Sequence, residues 1–566
     1  MSPQRDEPYD AIVVGSGITG GWAAKELTER GLRTLVIERG RDVEHGKDYV
    51  TEWKQPWELP HRGKGEPEIY ARDYPIQHHN YAFGEATKHF FVKDVDHPYR
   101  TDEGKPFRWI RGYQLGGRSL IWGRICWRWS DLDFEANLKD GHGVDWPIRY
   151  ADLAPWYSHI EKFVGVAGQK LGLAHLPDGE FLPPWEMTCA EEFVKKGIES
   201  KYPDRVMTIA RVANLTRAVN GRGPCMARDQ CARGCSYSGY FSSVSATLPA
   251  ARATGKLTIV TDAIVESVTY DAKRDRASGV RVIDARTGAV REYQARLIFL
   301  NASTIGTAQI LLNSRSERFP NGLANSSGEV GHNLMDHLSK MGARAIVPGF
   351  EDKYTIGRRP TATYIPRFRN LGHTDEKLPF LRGYGVQGGA TRTSWQRGAA
   401  EPGFGVELKS RLRAPGPWRI SLQGYVECLP RHENYVDLHP TEKDAWGVPI
   451  PRIHAQWSDN ERAAREDVKQ QTAEMLDAAG CREVETYDDD APMGFSVHEM
   501  GTARMGRDPR TSVLNAHNQS HDVKNLFVTD GACMASNSCV NPSATYMALT
   551  ARAVDYAVGE VNRRNL

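Results

Sequence analysis

The chain has 566 residues, 40% hydrophobic and 25% charged, close to globular averages, which excludes disordered, collagen-like and coiled-coil classes. Its 73 Lys plus Arg against 71 Asp plus Glu give a formal charge of +2, so no electrostatic footprint for nucleic acid or anionic lipid is visible. No run nears the roughly 18 apolar residues of a membrane-spanning helix, and the start, Met1-Ser-Pro-Gln-Arg-Asp-Glu-Pro8, lacks the apolar stretch of an export signal. The expectation is a soluble protein of two or more units, cytoplasmic, or periplasmic by co-export with a signal-bearing partner.

Tyr9 to Val14 is a short apolar run suited to a buried parallel strand, and Gly15-Ser-Gly17-Ile-Thr-Gly20 follows directly. Trp22, Ala23, Ala24 and Leu27 recur at helical spacing, Gly31 ends that segment, and Leu32 to Ile37 reads as a second strand closed by Glu38. In such a βαβ unit Gly15 permits the tight turn, Gly17 lets backbone approach a pyrophosphate, and Gly20 allows close packing at the positive helix end. Glu38 is placed to accept hydrogen bonds from a ribose. The unit predicts dinucleotide binding without telling FAD from NAD.

Further along, His61 to Arg111 is rich in His, Tyr, Lys and Asp and reads either as a polar cover over a cofactor or as a surface insertion. A glycine-rich stretch, Gly116-Gly117-Arg118-Ser119, comes next. Cys225, Cys231 and Cys235 occupy the first, third and fourth places of a C-x2-C-x2-C-x3-C run, with Arg228 at the second. Leu257 to Val265 reads as a strand. In Trp418 to Glu427, strand alternation puts Ser421, Gln423, Tyr425 and Glu427 on one face, either a wall for a polyhydroxylated ligand or a solvated edge. Phe527 and Val528 continue a strand into Asp530-Gly531, an acid and a flexible backbone beside a helix start. Asn541 precedes Pro542, which suits the first position of a helix.

Together with the N-terminal glycines, the strings His498-Glu-Met-Gly-Thr-Ala-Arg-Met-Gly506, Val528-Thr-Asp530-Gly531-Ala532 and Asn541-Pro542-Ser543-Ala544-Thr545 resemble the motifs of the glucose-methanol-choline (GMC) flavoprotein oxidoreductases. Gly116 to Arg124 resembles the family's loop against the flavin, and Leu300 to Ile310 its internal FAD segment. The resemblance implies FAD, an α/β (α+β overall) fold, and a discontinuous Rossmann-like FAD-binding domain beside a sheet-and-helix substrate domain. The FAD domain is expected at 1–135, 211–334 and 491–566, and the substrate domain at 136–210 and 335–490.

What the resemblance implies for residues is specific. Gly15, Gly17, Gly20, Glu38, Gly116, Gly117, Ser119, Val265, Asp530, Gly531 and Pro542 would hold FAD. His498 would be the base and Asn541 its partner on the substrate oxygen, since oxidising an alcohol requires removal of the hydroxyl proton. Some members attach FAD through a histidine after the paired glycines; Ile121 stands there in this chain, so the FAD is expected to be non-covalent.

The pattern looks most like the bacterial sugar-oxidising branch, with its pyranose oxidases, glycoside 3-oxidoreductases and gluconate and fructose dehydrogenases. The expected reaction oxidises a secondary hydroxyl of a pyranose or glycoside, at C3 or C2, with Gln423, Tyr425 and Glu427 as substrate contacts. Oxygen or an electron carrier, through a small subunit or cytochrome partner, would take the electrons. In some related dehydrogenases a three-iron cluster passes them on. Cys225, Cys231 and Cys235 are its candidates here, against a disulfide, no metal, or a relic of an ancestral site. A lyase on the same scaffold, a non-sugar alcohol oxidoreductase and a flavin-binding assembly subunit are the other readings.

Overall fold

The computed structural model describes residues 8–355, 360–372, 377–393, 397–398 and 401–566. Residues 1–7, which carry most of the expectation about an export signal, lie outside the described residues. The chain is a mixed α/β protein built on two large sheets.

The first sheet has a parallel centre in the order β5 (Leu257–Val260), β2 (Thr34–Ile37), β1 (Tyr9–Val14), β8 (Val290–Leu300) and β16 (Leu526–Val528). Ala11, Ile12 and Val13 are buried, as a strand covered on both faces requires. On one face, Ala23, Ala24 and Leu27 of helix Ile18–Glu29 meet Val554 and Ala557 of the C-terminal helix Ser543–Asn562 over Phe299 and Phe527. The N-terminal half of β8 leaves this centre and pairs antiparallel with β7 (Arg276–Asp284), which pairs with β6 (Ala263–Asp271).

The strand expected over Leu257 to Val265 is broken in two. Asp262 sits in the left-handed region at φ +52°, and its N–H donates to the Gly40 carbonyl at 2.8 Å. The chain turns there from the parallel centre into the antiparallel extension.

The second sheet is antiparallel throughout, in the order β15 (Arg482–Asp488), β9 (Met341–Val347), β12 (Trp418–Val426), β11 (Tyr384–Arg392), β10 (Thr363–Ile365) and β4 (Thr208–Ile209). A three-stranded sheet of β13 (Tyr435–Lys443), β14 (Pro449–His454) and β3 (Arg100–Thr101) lies apart from it. In β12 the alternation is regular. Ile420, Leu422 and Val426 point into a core with Val468, Met475 and Leu476 of helix Asp459–Ala478 and Val194 and Ile198 of helix Cys189–Lys201. Each such side chain contributes about 1.5–3 kcal/mol by leaving water. Ser421, Gln423 and Tyr425 occupy the opposite, half-buried face. Gln423 lies directly opposite Gln387 of β11, and Tyr425 opposite Gly385.

Candidate active site

A cavity of about 1050 Å³ runs past the glycine turn after β1 and ends beside His498 and Asn541. The turn leaves no room for side chains at two of its glycines. Gly15 has φ +94°, and a Cβ there would lie 2.3 Å from the Asn301 carbonyl oxygen; one on Gly20 would lie 1.9 Å from the Gly15 carbonyl oxygen. A Cβ on Gly17 would meet nothing within 4 Å, because that residue faces the open cavity. The helix beginning at Ile18 has no side-chain cap and no acid in its first turn, so its first N–H groups stay available at the positive end. Beside it, the Nδ2 of Asn301 is buried without a hydrogen-bond partner among the described residues, while its Oδ1 accepts the Thr529 hydroxyl at 2.6 Å.

Glu38 is buried and lines the cavity. Its Oε2 accepts the Ser16 N–H at 3.1 Å and its Oε1 the Gly40 N–H at 2.9 Å, so it closes the turn as well as facing a ligand. Burial raises its pKa from the ordinary carboxylate value. The Ser16 hydroxyl accepts the Gly116 N–H at 2.9 Å, tying the two glycine loops together. Gly117, Ser119, Val265, Asp530, Gly531 and Pro542 also line the cavity. Asp530 accepts the Ala532 N–H at 2.9 Å and the Thr307 hydroxyl at 2.6 Å, and burial lifts its carboxyl to about 6. Gly20 and Gly116 do not line the cavity; they shape the backbone behind it.

At the other end three segments converge. His498 stands in a loop whose preceding residue, Val497, has φ +58°, a conformation that costs a β-branched residue about 1–3 kcal/mol. Asp336 holds this loop by accepting the Ser496 N–H at 3.2 Å and the His498 N–H at 3.0 Å. Burial and the nearby Glu499 charge raise its carboxyl to about 7. Arg118 of the glycine loop makes a two-pronged ion pair with Glu499 at 3.1 and 2.8 Å. Asn541, just before the C-terminal helix, has its Nδ2 3.2 Å from His498 Nε2, and its Oδ1 accepts the Gln387 amide at 2.7 Å. Pro542 is the cap of that helix and Ser543 its first residue, one place later than expected. Burial, with His337 and Arg118 near, pulls His498 well below the usual imidazole range, which keeps the ring neutral and able to accept a proton.

Gln423 and Tyr425 line this end, as the strand pattern predicted, but Glu427 does not. It lies beyond the end of β12, fully buried, paired with Arg382 at 2.9 Å and facing Arg367 at 3.9 Å. An interior carboxylate needs such partners, and here they turn it away from the cavity. Gln387 and His337 are site residues that the sequence reading missed, and Tyr81 lies in the His61 to Arg111 stretch read as a polar cover; only tertiary pairing brings each of them in.

The three-iron expectation finds no support among the described residues. Cys225 and Cys231 line the cavity and Cys235 does not; all three are free thiols. Among the described residues no three His, Cys, Asp or Glu side chains converge as metal ligands. Arg228, at the place of the missing second cysteine, is an ion-pair partner of the buried Glu52.

Comparisons with known proteins agree with this geometry. Family models described as GMC oxidoreductase match residues 9–339 and 430–550, and the chain belongs to that family. It is 29% identical to the 2-methyl-1,2-propanediol dehydrogenase of Mycolicibacterium austroafricanum over 97% of this chain and 94% of that one. It is 28% identical to the fructose dehydrogenase large subunit of Gluconobacter japonicus over 98% of each. The paromamine 6'-oxidase of Streptomyces fradiae is 26% identical over 99% of this chain and 93% of its own length. Among solved structures, pyridoxine 4-oxidase from Mesorbium loti superposes with a TM-score of 0.59 at 18% identity, over 97% of this chain and 99% of that one. The protein is thus an oxidoreductase acting on CH–OH groups, and the family implies FAD. The uncapped helix start, the open face at Gly17 and the unpartnered Asn301 amide fit a pyrophosphate.

Gly17 and Gly20 separate cradle from packing. Gly20→Ala is expected to lower thermal stability, by about 1–3 kcal/mol for a forced backbone shift, and to purify with less flavin. Gly17→Ala should leave the melting temperature of the flavin-free protein unchanged yet weaken flavin binding, because its methyl occupies only the space a ligand would use. Melting curves and flavin titrations of the two proteins check this.

Proposed function

We propose that this GMC oxidoreductase oxidises a secondary hydroxyl of a pyranose sugar or glycoside, at C3 or C2, to the keto-sugar. The observation that carries the reading is the pairing of a neutral His498 with Asn541 at the polar end of a cavity whose other end is built for a dinucleotide. Gln387, Gln423, Tyr425 and Tyr81 around that pair offer the several fixed donors and acceptors that a polyhydroxylated substrate needs. The names of the fructose dehydrogenase, gluconate 2-dehydrogenase and paromamine 6'-oxidase relatives support the same substrate class; the diol dehydrogenase name keeps a small non-sugar alcohol as the second reading.

Bound FAD supplies the hydride acceptor. The chain's own part is to move the proton and hold the oxygen. Nε2 of His498 takes the hydroxyl proton as the carbonyl forms, and Nδ2 of Asn541 donates to the substrate oxygen as negative charge builds on it. Gln387 keeps the Asn541 amide in the donating orientation by bonding its Oδ1. The six-stranded sheet draws all but its two-residue edge strand from 341–488, which supports a substrate unit separate from the cofactor unit. The flavin is held without a covalent bond, since Ile121 offers no nucleophile. Its electrons pass to oxygen or to an electron carrier. The name "large subunit" borne by one relative supports a partner subunit for that transfer.

Anaerobic mixing with neutral sugars, glycosides, sugar acids and small diols should bleach the flavin fastest with a sugar or glycoside, and readmitted oxygen then separates oxidase from dehydrogenase. No bleaching with any of them favours a lyase, and bleaching by diols alone overturns the sugar assignment. Denaturation and filtration should release all the flavin; colour retained on the protein excludes non-covalent binding. Asn541→Asp removes a donor and should cut kcat/KM by about 10²–10³-fold. The new carboxylate also favours the imidazolium of His498, so the acid limb of the pH profile should move to higher pH. A profile and rate like those of the parent would remove Asn541 from the site.

A further inference from the structure

A second histidine stands behind His498. His337 is 1% exposed and follows Asp336 just ahead of β9. Its Nε2 lies 2.9 Å from the carbonyl oxygen of Ser538 and its Nδ1 lies 2.8 Å from Nδ1 of His498. The two rings are almost perpendicular, at 89°.

The hydrogens of this chain follow from its ends. A carbonyl oxygen only accepts, so Nε2 of His337 carries a hydrogen. Burial pulls His337 down to about 4, so at working pH the ring is neutral and its Nδ1 holds a lone pair. That lone pair faces Nδ1 of His498, which must supply the hydrogen of the 2.8 Å contact. His498 is neutral too, and with its hydrogen on Nδ1 its Nε2 holds the free lone pair. This nitrogen faces the cavity and the Asn541 amide, itself a donor.

We infer that His337 is a positioning residue that fixes His498 in the Nδ1–H tautomer and so presents Nε2 as the proton acceptor. The inference rests on the proposed role of His498 as base. The backbone of Asn537, like that of Ser538, favours an N–H on His337; the remaining groups facing the pair do not compete for its ring nitrogens. Asp336 spends its carboxylate on backbone N–H groups, Arg118 and Glu499 bond each other, and Tyr425 presents its ring 6.3–6.4 Å from both imidazoles. When His498 takes a proton on Nε2, its Nδ1–H to His337 becomes charge-assisted and shortens. The contact therefore strengthens as the reaction proceeds.

Histidine-selective 15N labelling of the holoenzyme reads the tautomer directly, with the His498 ring signals assigned by their loss in His498→Gln. The parent protein is expected to show His498 with hydrogen on Nδ1 and a bare Nε2. His337→Asn keeps an acceptor oxygen near the Nδ1 position and should keep that pattern. His337→Leu removes the acceptor and should populate the Nε2–H form, with turnover down roughly 10- to 100-fold and restored towards the parent value in the Asn variant. A parent spectrum with hydrogen on His498 Nε2 overturns the inference without any variant, and so does an unchanged tautomer in a folded, flavin-loaded Leu variant. A tautomer that shifts in the Leu variant while turnover stays unchanged keeps the positioning claim and instead removes His498 as the base.

Discussion

A neutral imidazole has two nitrogens and one hydrogen, and burying two such rings against each other leaves a single consistent way to place the hydrogens. The Ser538 carbonyl, at one end of the chain through His337 and His498, sets that placement for both rings. At the other end it leaves one lone pair facing the cavity. Everything else at this end of the molecule keeps the two rings in line: Asp336 grips the backbone on both sides of Val497, and Asn537 donates to the Asp336 carbonyl.

These contacts cost something to make. A buried polar group without a partner is penalised by about 1–3 kcal/mol, and Val497 sits in a strained backbone region. The strain is held because three chain segments, 336–337, 496–499 and 537–541, satisfy one another's donors and acceptors. The cradle end is linked to the same assembly through two loops: the Ser16 hydroxyl bonds Gly116, and Arg118, two residues on, bonds Glu499 beside His498.

The parts legible from sequence were local ones. Gly15, Gly17 and Gly20 announce a turn by their spacing, and Tyr9 to Val14 announces a doubly buried strand by composition alone. Alternation in β12 told correctly that Ser421, Gln423 and Tyr425 share a face, but alternation says nothing of what lies opposite. Glu427 was misread for that reason, since Arg382 that captures it comes from 45 positions away. The cysteine spacing is a local signal of the same kind, and the Arg228–Glu52 pair beside it is invisible in a spacing. His337 and Gln387 carry no local signature at all. Their roles exist only once β11, β12 and the loop before β9 are paired.

The choice of partner for each part of His498 has a physical logic. A carboxylate against the ring would favour the imidazolium and raise its pKa, leaving a base already protonated at neutral pH. The chain has such a carboxylate next in sequence to His337, yet Asp336 is spent on backbone N–H groups and its own carboxyl is lifted to about 7 by burial and by Glu499. The ring is given a neutral acceptor instead. That acceptor orients the imidazole without adding charge, so the lone pair on Nε2 faces only the Asn541 amide until a substrate hydroxyl reaches it.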